Sequence, residues 1–268
     1  MGERKQKWIY ENEELVEQVI QLVKRVRPFF FNQGMSAHIR EKGVADFVTE
    51  VDMRVQEIIK GELERIAPGV QFMGEEKDNG EIDFSGDFWI LDPVDGTTNL
   101  IHDYRQSAVS LALCEAGQVT LGIVYQPYTE ELFLAKKGKG AWLNGTPIHV
   151  SSAKKLEESL VSVGTSPYRK ELAKENFKNF YQIFMRCEDI RRGGSAAIDL
   201  AWVACGRTDA YVERNLKPWD YAAGMLLVEE AGGCVTGFHG EAVGVRAPSD
   251  IVGGNGIIGQ LLVEEILR

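Results

Sequence analysis

The sequence offers little to thiol or soft-metal chemistry. Its four cysteines, Cys114, Cys187, Cys205 and Cys234, are far apart and form no Cys-x-x-Cys pair. They are expected to be free thiols in a reducing compartment, each a small core residue. The four histidines, His38, His102, His149 and His239, are equally scattered. Neither a zinc site nor a Cys/His nucleophilic dyad is expected from such spacing. Positive charge is also in deficit: 30 Lys and Arg against 40 Asp and Glu give a formal net charge of −10. That balance argues against nucleic acid or an anionic membrane as a sequence-independent partner. An anionic substrate stays open, because bound divalent cations reverse a local field. No apolar run approaches membrane-spanning length. Residues 1–14 are charged throughout and lack the apolar core of a signal peptide, so a cytoplasmic protein is expected.

What is present is ordinary for a globular chain: 268 residues, 44% hydrophobic and 26% charged, enough for one large domain or two intimate ones. No repeat, low-complexity segment or linker marks a boundary, so a single domain over residues 1–268 is expected. The chain is organised around Trp89-Ile90-Leu91-Asp92-Pro93-Val94-Asp95-Gly96-Thr97-Thr98-Asn99. Residues 88–91 form a short apolar, aromatic and branched run, which predicts a buried strand. That strand is expected to stop at Asp92-Pro93, since proline gives no N–H to a sheet ladder. Two carboxylates three residues apart then lie past the strand end, where open α/β sheets place their ligand crevice. Gly96-Thr97-Thr98-Asn99 follows. Glycine permits close backbone approach and the hydroxyls suit a helix cap; a helix starting here would offer free N–H groups to an anion. Carboxylates beside an anion site require a positive filler. Without His or Cys nearby, that filler is expected to be a hard cation held by oxygen, Mg²⁺ first among them. Taken alone, Asp-Gly also reads as a plain surface turn.

Leu15, Val16, Val19, Ile20, Leu22, Val23 and Val26 recur at helical spacing and predict an amphipathic helix over residues 11–33, kinked or ended early by Pro28. Residues 37–44 predict a loop or short strand, in which Lys42 reads as a mobile cation near a site or, more simply, as solvated. Thr49 or Asp46 would cap a helix carrying Val55, Ile58, Ile59, Leu63 and Ile66 on one face, with Asp52 in its first turn. Residues 70–73 resemble a strand, and Glu75-Glu76 after it would ordinarily be solvated. Residues 107–115 and 119–127 predict a hairpin, continued as a meander to the Asn144-Gly145 turn. Beyond residue 159 the pattern turns α/β: a strand at 160–163, a helix over 170–185, a helix opened by Arg191-Arg192-Gly193-Gly194-Ser195-Ala196-Ala197, and a strand at 209–212 with Glu213 just past its end. A small-residue helix then begins at Pro218-Trp219-Asp220. The Gly-Gly-Ser start reads either as an anion or polar-ligand site or as a simple cap.

Gly74-Glu75-Glu76, Asp92-Pro93-Val94-Asp95-Gly96-Thr97-Thr98-Asn99 and Trp219-Asp220-Tyr221-Ala222-Ala223-Gly224, in this order and at these separations, resemble the inositol monophosphatase family of Mg²⁺-dependent, lithium-sensitive phosphatases. The resemblance covers most of the chain, and the two longer motifs are specific as a pair. It implies an α/β (α+β) fold, a layered αβαβα sandwich of the inositol monophosphatase and fructose-1,6-bisphosphatase type. It also implies two or three Mg²⁺ ions held by Glu75, Asp92, Asp95, Asp220 and the carbonyl of Val94. Thr97 and Asp52, with Glu75, would orient a metal-bound water for in-line attack on phosphorus. The N–H groups of Gly96 and Thr97 would hold the phosphate. Gly194, Ser195, Ala196 and Glu213 match the substrate-binding positions. The implied substrate is a small phosphate monoester, an inositol or similar polyol phosphate, with fructose 1,6-bisphosphate or a 3′-phosphonucleotide as the alternative. The implied assembly is a homodimer. A non-catalytic regulator on the same fold would be expected to lack one of these groups, and none is missing. Residues 164–170 match no pattern that speaks to specificity.

Overall fold

The computed structural model describes residues 9–43 and 46–267, with the side chain of Asp46 outside that description. Val44 therefore lies outside the described residues, as does the side chain proposed for the Asp46 cap. The N-terminal part comprises α1 (Glu13–Arg25), α2 (Gln33–Ser36), the hairpin β1 (Ile39–Gly43) and β2 (Asp46–Thr49), and α3 (Glu50–Ile66). A seven-stranded sheet follows: β3 (Gln71–Gly74), β4 (Phe88–Asp95), then after α4 (Thr97–Ile101) the meander β5 (Ala108–Glu115), β6 (Gln118–Gln126), β7 (Glu131–Lys136), β8 (Gly140–Leu143) and β9 (Thr146–Pro147), in spatial order. The C-terminal part runs β10 (Leu160–Val163), α5 (Ala173–Phe184), β11 (Asp189–Arg191), α6 (Ala196–Ala204), β12 (Ala210–Leu216), α7 (Pro218–Glu230), β13 (Cys234–Thr236), β14 (Ser249–Gly254) and α8 (Ile257–Leu262). Its five strands pair in the order β11-β10-β12-β14-β13.

Burial sorts these elements into five layers. Val16, Val19 and Val23 of α1 and Val55, Ile59 and Leu63 of α3 cover one face of the large sheet, meeting Trp89 and Leu91 of β4. Phe88 and Ile90 of the same strand point to the opposite face, against α6 and α7. That alternation is the period-2 geometry of a strand. Because both faces are covered, the strand reads as an unbroken apolar run. Helices α6 and α7 also touch Tyr211, Leu216 and Ile251 of the small sheet. Phe180 and Ile183 of α5 with Ile258 and Leu262 of α8 cover its far face. The result is the layered αβαβα sandwich expected.

Four boundaries differ from the sequence reading. The helix expected over residues 11–33 ends at Arg25; Pro28 sits in a 3₁₀ turn, Arg27–Phe31, before the one-turn α2. The helix expected from residue 170 begins at Ala173, after a 3₁₀ turn at Lys170–Leu172. Strand β4 does not stop at Leu91 but continues through Pro93 to Asp95. Its register with β5 shifts between Asp92 and Asp95, so proline falls at a bulge, where no ladder N–H is demanded. Glu213 lies within β12 rather than past its end, because that strand resumes beyond a register shift between Glu213 and Leu216.

Candidate active site

The bulge in β4 is the foundation of the site. It ends the regular ladder at Asp92 and re-aims Val94 and Asp95 toward the seam between the two sheets. The N–H of Val94 donates to Asp92 Oδ1 at 2.9 Å, fixing that carboxylate to its own turn. Gly96 then adopts φ 89, and a Cβ there would lie 3.0 Å from the Gln106 carbonyl and 3.1 Å from the Gly194 carbonyl. Glycine is required on both counts. The chain turns into α4, which has only five residues, too few to build a long helix dipole. Asn99 secures the turn, donating through Nδ2 to the Gln106 carbonyl at 2.7 Å and the Gly193 carbonyl at 3.0 Å.

Other elements bring carboxylates to the same place. Strand β3 pairs with β4 up to Leu91, and Glu75 follows, its N–H donating to the Leu91 carbonyl at 3.1 Å. Asp220 arrives in the first turn of α7, accepting from the Lys217 N–H at 2.7 Å. Glu75, Asp92, Val94, Asp95, Gly96, Thr97, Gly194, Ser195, Ala196, Glu213 and Asp220 all border one cleft of about 240 Å³. Asp52 stands one layer behind. It closes a capping box with Thr49, accepting the Thr49 N–H at 2.8 Å and hydroxyl at 2.5 Å, and its other oxygen accepts from Thr97 Oγ1 at 2.9 Å. Its place in the first turn of α3 is therefore only part of its role, because it also holds Thr97.

Ser195 resolves the two readings of the Gly-Gly-Ser start. It caps α6, accepting from the Ile198 N–H at 3.3 Å, and its hydroxyl donates to Asp95 Oδ2. The Ala197 N–H donates to the same Asp95 oxygen at 2.8 Å. The helix start thus grips a carboxylate of β4 across the sheet boundary. Glu213 accepts the Ser166 N–H at 2.7 Å and the Tyr211 hydroxyl. Glu75 and Glu76 are not simply solvated: Lys42 Nζ lies 3.1 Å from Glu75 and 2.6 Å from Glu76, and Gln56 pins the Glu76 backbone from both sides at 2.9 and 3.0 Å. Lys42 is likewise paired, which corrects the solvated reading of that residue.

So many acids in one cleft resist ionising together. Burial is the largest cause at each, and mutual repulsion adds to it. Asp92 is pushed well above the usual carboxylate range by burial, then by Glu75, Asp95 and Asp220. Asp220 is raised in the same way by burial, Asp95 and Glu75. Glu75 rises to about 7 through burial, against the opposing pull of Lys42. Asp95 and Asp52 each rise to about 6, burial outweighing the hydrogen bonds they accept. Such a donor set fits a hard divalent cation: it is all oxygen, and a cation would relieve its repulsion. Among the described residues no group of three or more Asp, Glu, His or Cys side chains is placed to hold a metal ion as the side chains lie. Mg²⁺ is commonly held through one or two carboxylates, with water and substrate phosphate filling the rest of its shell.

Several neighbours of the cleft escaped the sequence reading, and three of them bear on its chemistry or shape. Asp199 is 2% exposed on α6 and borders the cleft with Oδ1 unpartnered among the described residues. Gly164 is forced by Glu213, whose Oε2 would lie 1.9 Å from any Cβ there. Tyr168 borders the cleft from the loop before α5. Only Asp199 carried a signal, a lone acid in an otherwise apolar helical run. The other two depend on contacts about 47 residues away in sequence.

Comparison with known proteins accords with this architecture. Residues 4–267 match the model of the inositol monophosphatase family. The chain is 42% identical over 212 residues to the Nus factor SuhB of Xylella fastidiosa, covering 78% of this chain and 75% of that one. It is 37% identical over 238 residues to the inositol-1-monophosphatase of Rhizobium meliloti, covering 89% of each. Among solved structures it resembles the extragenic suppressor protein suhB of Bartonella henselae, with a TM-score of 0.88, 35% identity, and 94% and 98% of the two chains covered. The chain belongs to the inositol monophosphatase family.

Proposed function

We propose that this chain is a Mg²⁺-dependent phosphomonoesterase acting on inositol monophosphate or a similar polyol phosphate. The observation that carries the reading is the meeting of Glu75, Asp92, Asp95 and Asp220 in one cleft beside the Thr97–Asp52 hydrogen bond. Glu75, Asp92, Asp95, Asp220 and the Val94 carbonyl would hold two or three Mg²⁺ ions. When bound, Mg²⁺ offsets phosphate charge and acidifies water. The remaining work falls to the chain. The Thr97 hydroxyl donates to Asp52, leaving its lone pairs to accept from the attacking water and aim it at phosphorus. Asp52, clamped by Thr49, receives a proton passed through Thr97. Glu75 helps hold the water, and the N–H groups of Gly96 and Thr97 donate to the phosphate oxygens. Attack is in line and no phosphoenzyme forms. Glu213 accepts from polyol hydroxyls, with the Gly194-Ser195-Ala196 turn beside it.

The reading extends to one catalytic domain over residues 1–268, a cytoplasmic location, sensitivity to Li⁺ and a homodimeric assembly, as the family resemblance implies. Among the described residues no helix is long and apolar enough to cross a membrane. A regulatory role is the second reading, favoured by relatives named Nus factor SuhB at 41–42% identity. The completeness of the acid set supports the enzyme. Specificity is tested by kcat/KM for inositol 1-phosphate, fructose 1,6-bisphosphate and a 3′-phosphonucleotide. The polyol phosphate is expected to lead, and strong preference for the nucleotide would overturn the substrate assignment.

A further inference from the structure

Besides its carboxylate cluster the cleft is bordered by Arg192 and by four apolar or aromatic residues, Phe47, Pro167, Tyr168 and Leu216. Two of these, Pro167 and Tyr168, belong to residues 164–170, the segment between β10 and α5. That segment is tied residue by residue to β12. The Gly164 N–H donates to the Val212 carbonyl at 2.8 Å and the Ser166 N–H to the Glu213 carboxylate at 2.7 Å. The Ser166 hydroxyl then donates to the Arg214 carbonyl at 2.7 Å and the Tyr168 hydroxyl to the Asn215 carbonyl at 3.2 Å. Ser166 holds φ 46, a left-handed conformation that a non-glycine residue keeps only where its surroundings dictate it. The loop is therefore preorganised, and it ends by setting an aromatic ring on the rim of the cleft.

We infer that Tyr168 is a specificity-determining residue that selects phosphate esters of ring-shaped alcohols. Its ring packs on the apolar face of the leaving group while Glu213, fixed by the same loop, accepts from hydroxyls on its edge. The inference rests on the phosphomonoesterase reading. A ring presents a flat C–H or π face and a hydroxylated edge at once, without ordering rotatable bonds. An acyclic polyol has no such continuous face, and ordering it costs conformational entropy. The cleft, about 240 Å³, is smaller than the roughly 300–1,000 Å³ of sites for drug-sized ligands, so one ring beside a phosphate suits it.

The test compares kcat/KM of wild type, Tyr168→Leu and Tyr168→Phe with Mg²⁺ on inositol 1-phosphate, adenosine 2′-phosphate and glycerol 2-phosphate. Tyr168→Leu is expected to lose roughly tenfold on the ring esters, chiefly in KM, and to leave glycerol 2-phosphate unchanged. Tyr168→Phe keeps the ring and loses only the Asn215 tether, so it should match wild type within about twofold. A loss on only one of the two ring esters would support the inference and say whether the selected ring is a polyol or a nucleoside. Equal losses on all three esters, or none on the ring esters, would overturn the inference while phosphate release by wild type still stood. Absence of release by wild type from every ester would instead overturn the phosphatase reading, and the inference with it.

Discussion

Thr97 Oγ1 lies 2.9 Å from Asp52 Oδ1, across 45 residues of sequence. Asp52 is completely buried and its second oxygen is occupied by Thr49. The acid can therefore serve the cleft only through Thr97, and the two side chains should act as one unit. Thr97→Val and Asp52→Asn are each expected to lower kcat by about 10²–10⁴ with little change in KM. The double variant should be no slower than the worse single one. Steady-state kinetics of the three variants checks this; additive losses would separate the two roles.

Ser195 acts on the site through Asp95, to which its hydroxyl donates. Ser195→Ala is expected to raise the Mg²⁺ concentration for half-maximal rate by about tenfold or more, as loss of a group behind a metal ligand commonly does. It should leave kcat at saturating Mg²⁺ closer to wild type. An unchanged Mg²⁺ dependence would count against this positioning role.

Gly164 and Glu213 share one volume. A Cβ at 164 would meet the Glu213 carboxylate, so Gly164→Ala must displace either the loop or the acid. Overpacking of this kind costs about 1–3 kcal/mol, readable by urea denaturation. The same variant should raise KM for inositol 1-phosphate, as should Glu213→Gln, while p-nitrophenyl phosphate, which lacks hydroxyls, is turned over as before. A stable Gly164→Ala protein with unaltered KM would show that the acid need not stay where it is.

Asp199 offers a pH test in the metal-free protein. Its carboxyl is held well above the usual range by burial and then by Glu213. A carboxyl whose folded pKa exceeds its unfolded value binds its proton more tightly when folded. Its stabilising contribution is present below the unfolded pKa, about 4, and is lost as pH rises from there toward the folded value. Asp199→Asn cannot titrate. It should melt close to wild type at pH 4 and above it at pH 8 in EDTA, by differential scanning calorimetry. Parallel melting curves across that range would mean that Asp199 titrates normally.

Much of this was legible in the sequence because the informative signals were local. The apolar run of β4, the small residues of α7 and the spacing of Asp92, Asp95 and Thr97 each follow from short-range chemistry, whereas Asp220 read locally as a first-turn acid and joined them only through the family resemblance. Pro93 misled because its cost depends on how the strand is paired, and the bulge in β4 opposite β5 leaves no ladder N–H demanded there. Asp52 looked like a first-turn carboxylate and is one, completing the capping box of Thr49, but its contact with Thr97 depends on the packing of α3 against β4. The wall of Pro167 and Tyr168 was illegible, because those residues matter only once β12 has fixed their loop. Lys42 appeared solvated because nothing in its neighbourhood of sequence announces Glu75 and Glu76, more than thirty residues on.

The central claim is that the acids around Asp92 serve as ligands for a divalent cation in phosphate release. The most direct measurement is release of inorganic phosphate from inositol 1-phosphate by EDTA-stripped protein as Mg²⁺ is added back, for wild type and Asp92→Asn side by side. The account predicts no release without Mg²⁺, saturable recovery in wild type, and a loss of at least about 10²-fold in the variant, the scale on which removing a principal electrostatic group lowers kcat. Release that ignores Mg²⁺, or Asp92→Asn turning over near the wild-type rate at saturating Mg²⁺, would contradict it.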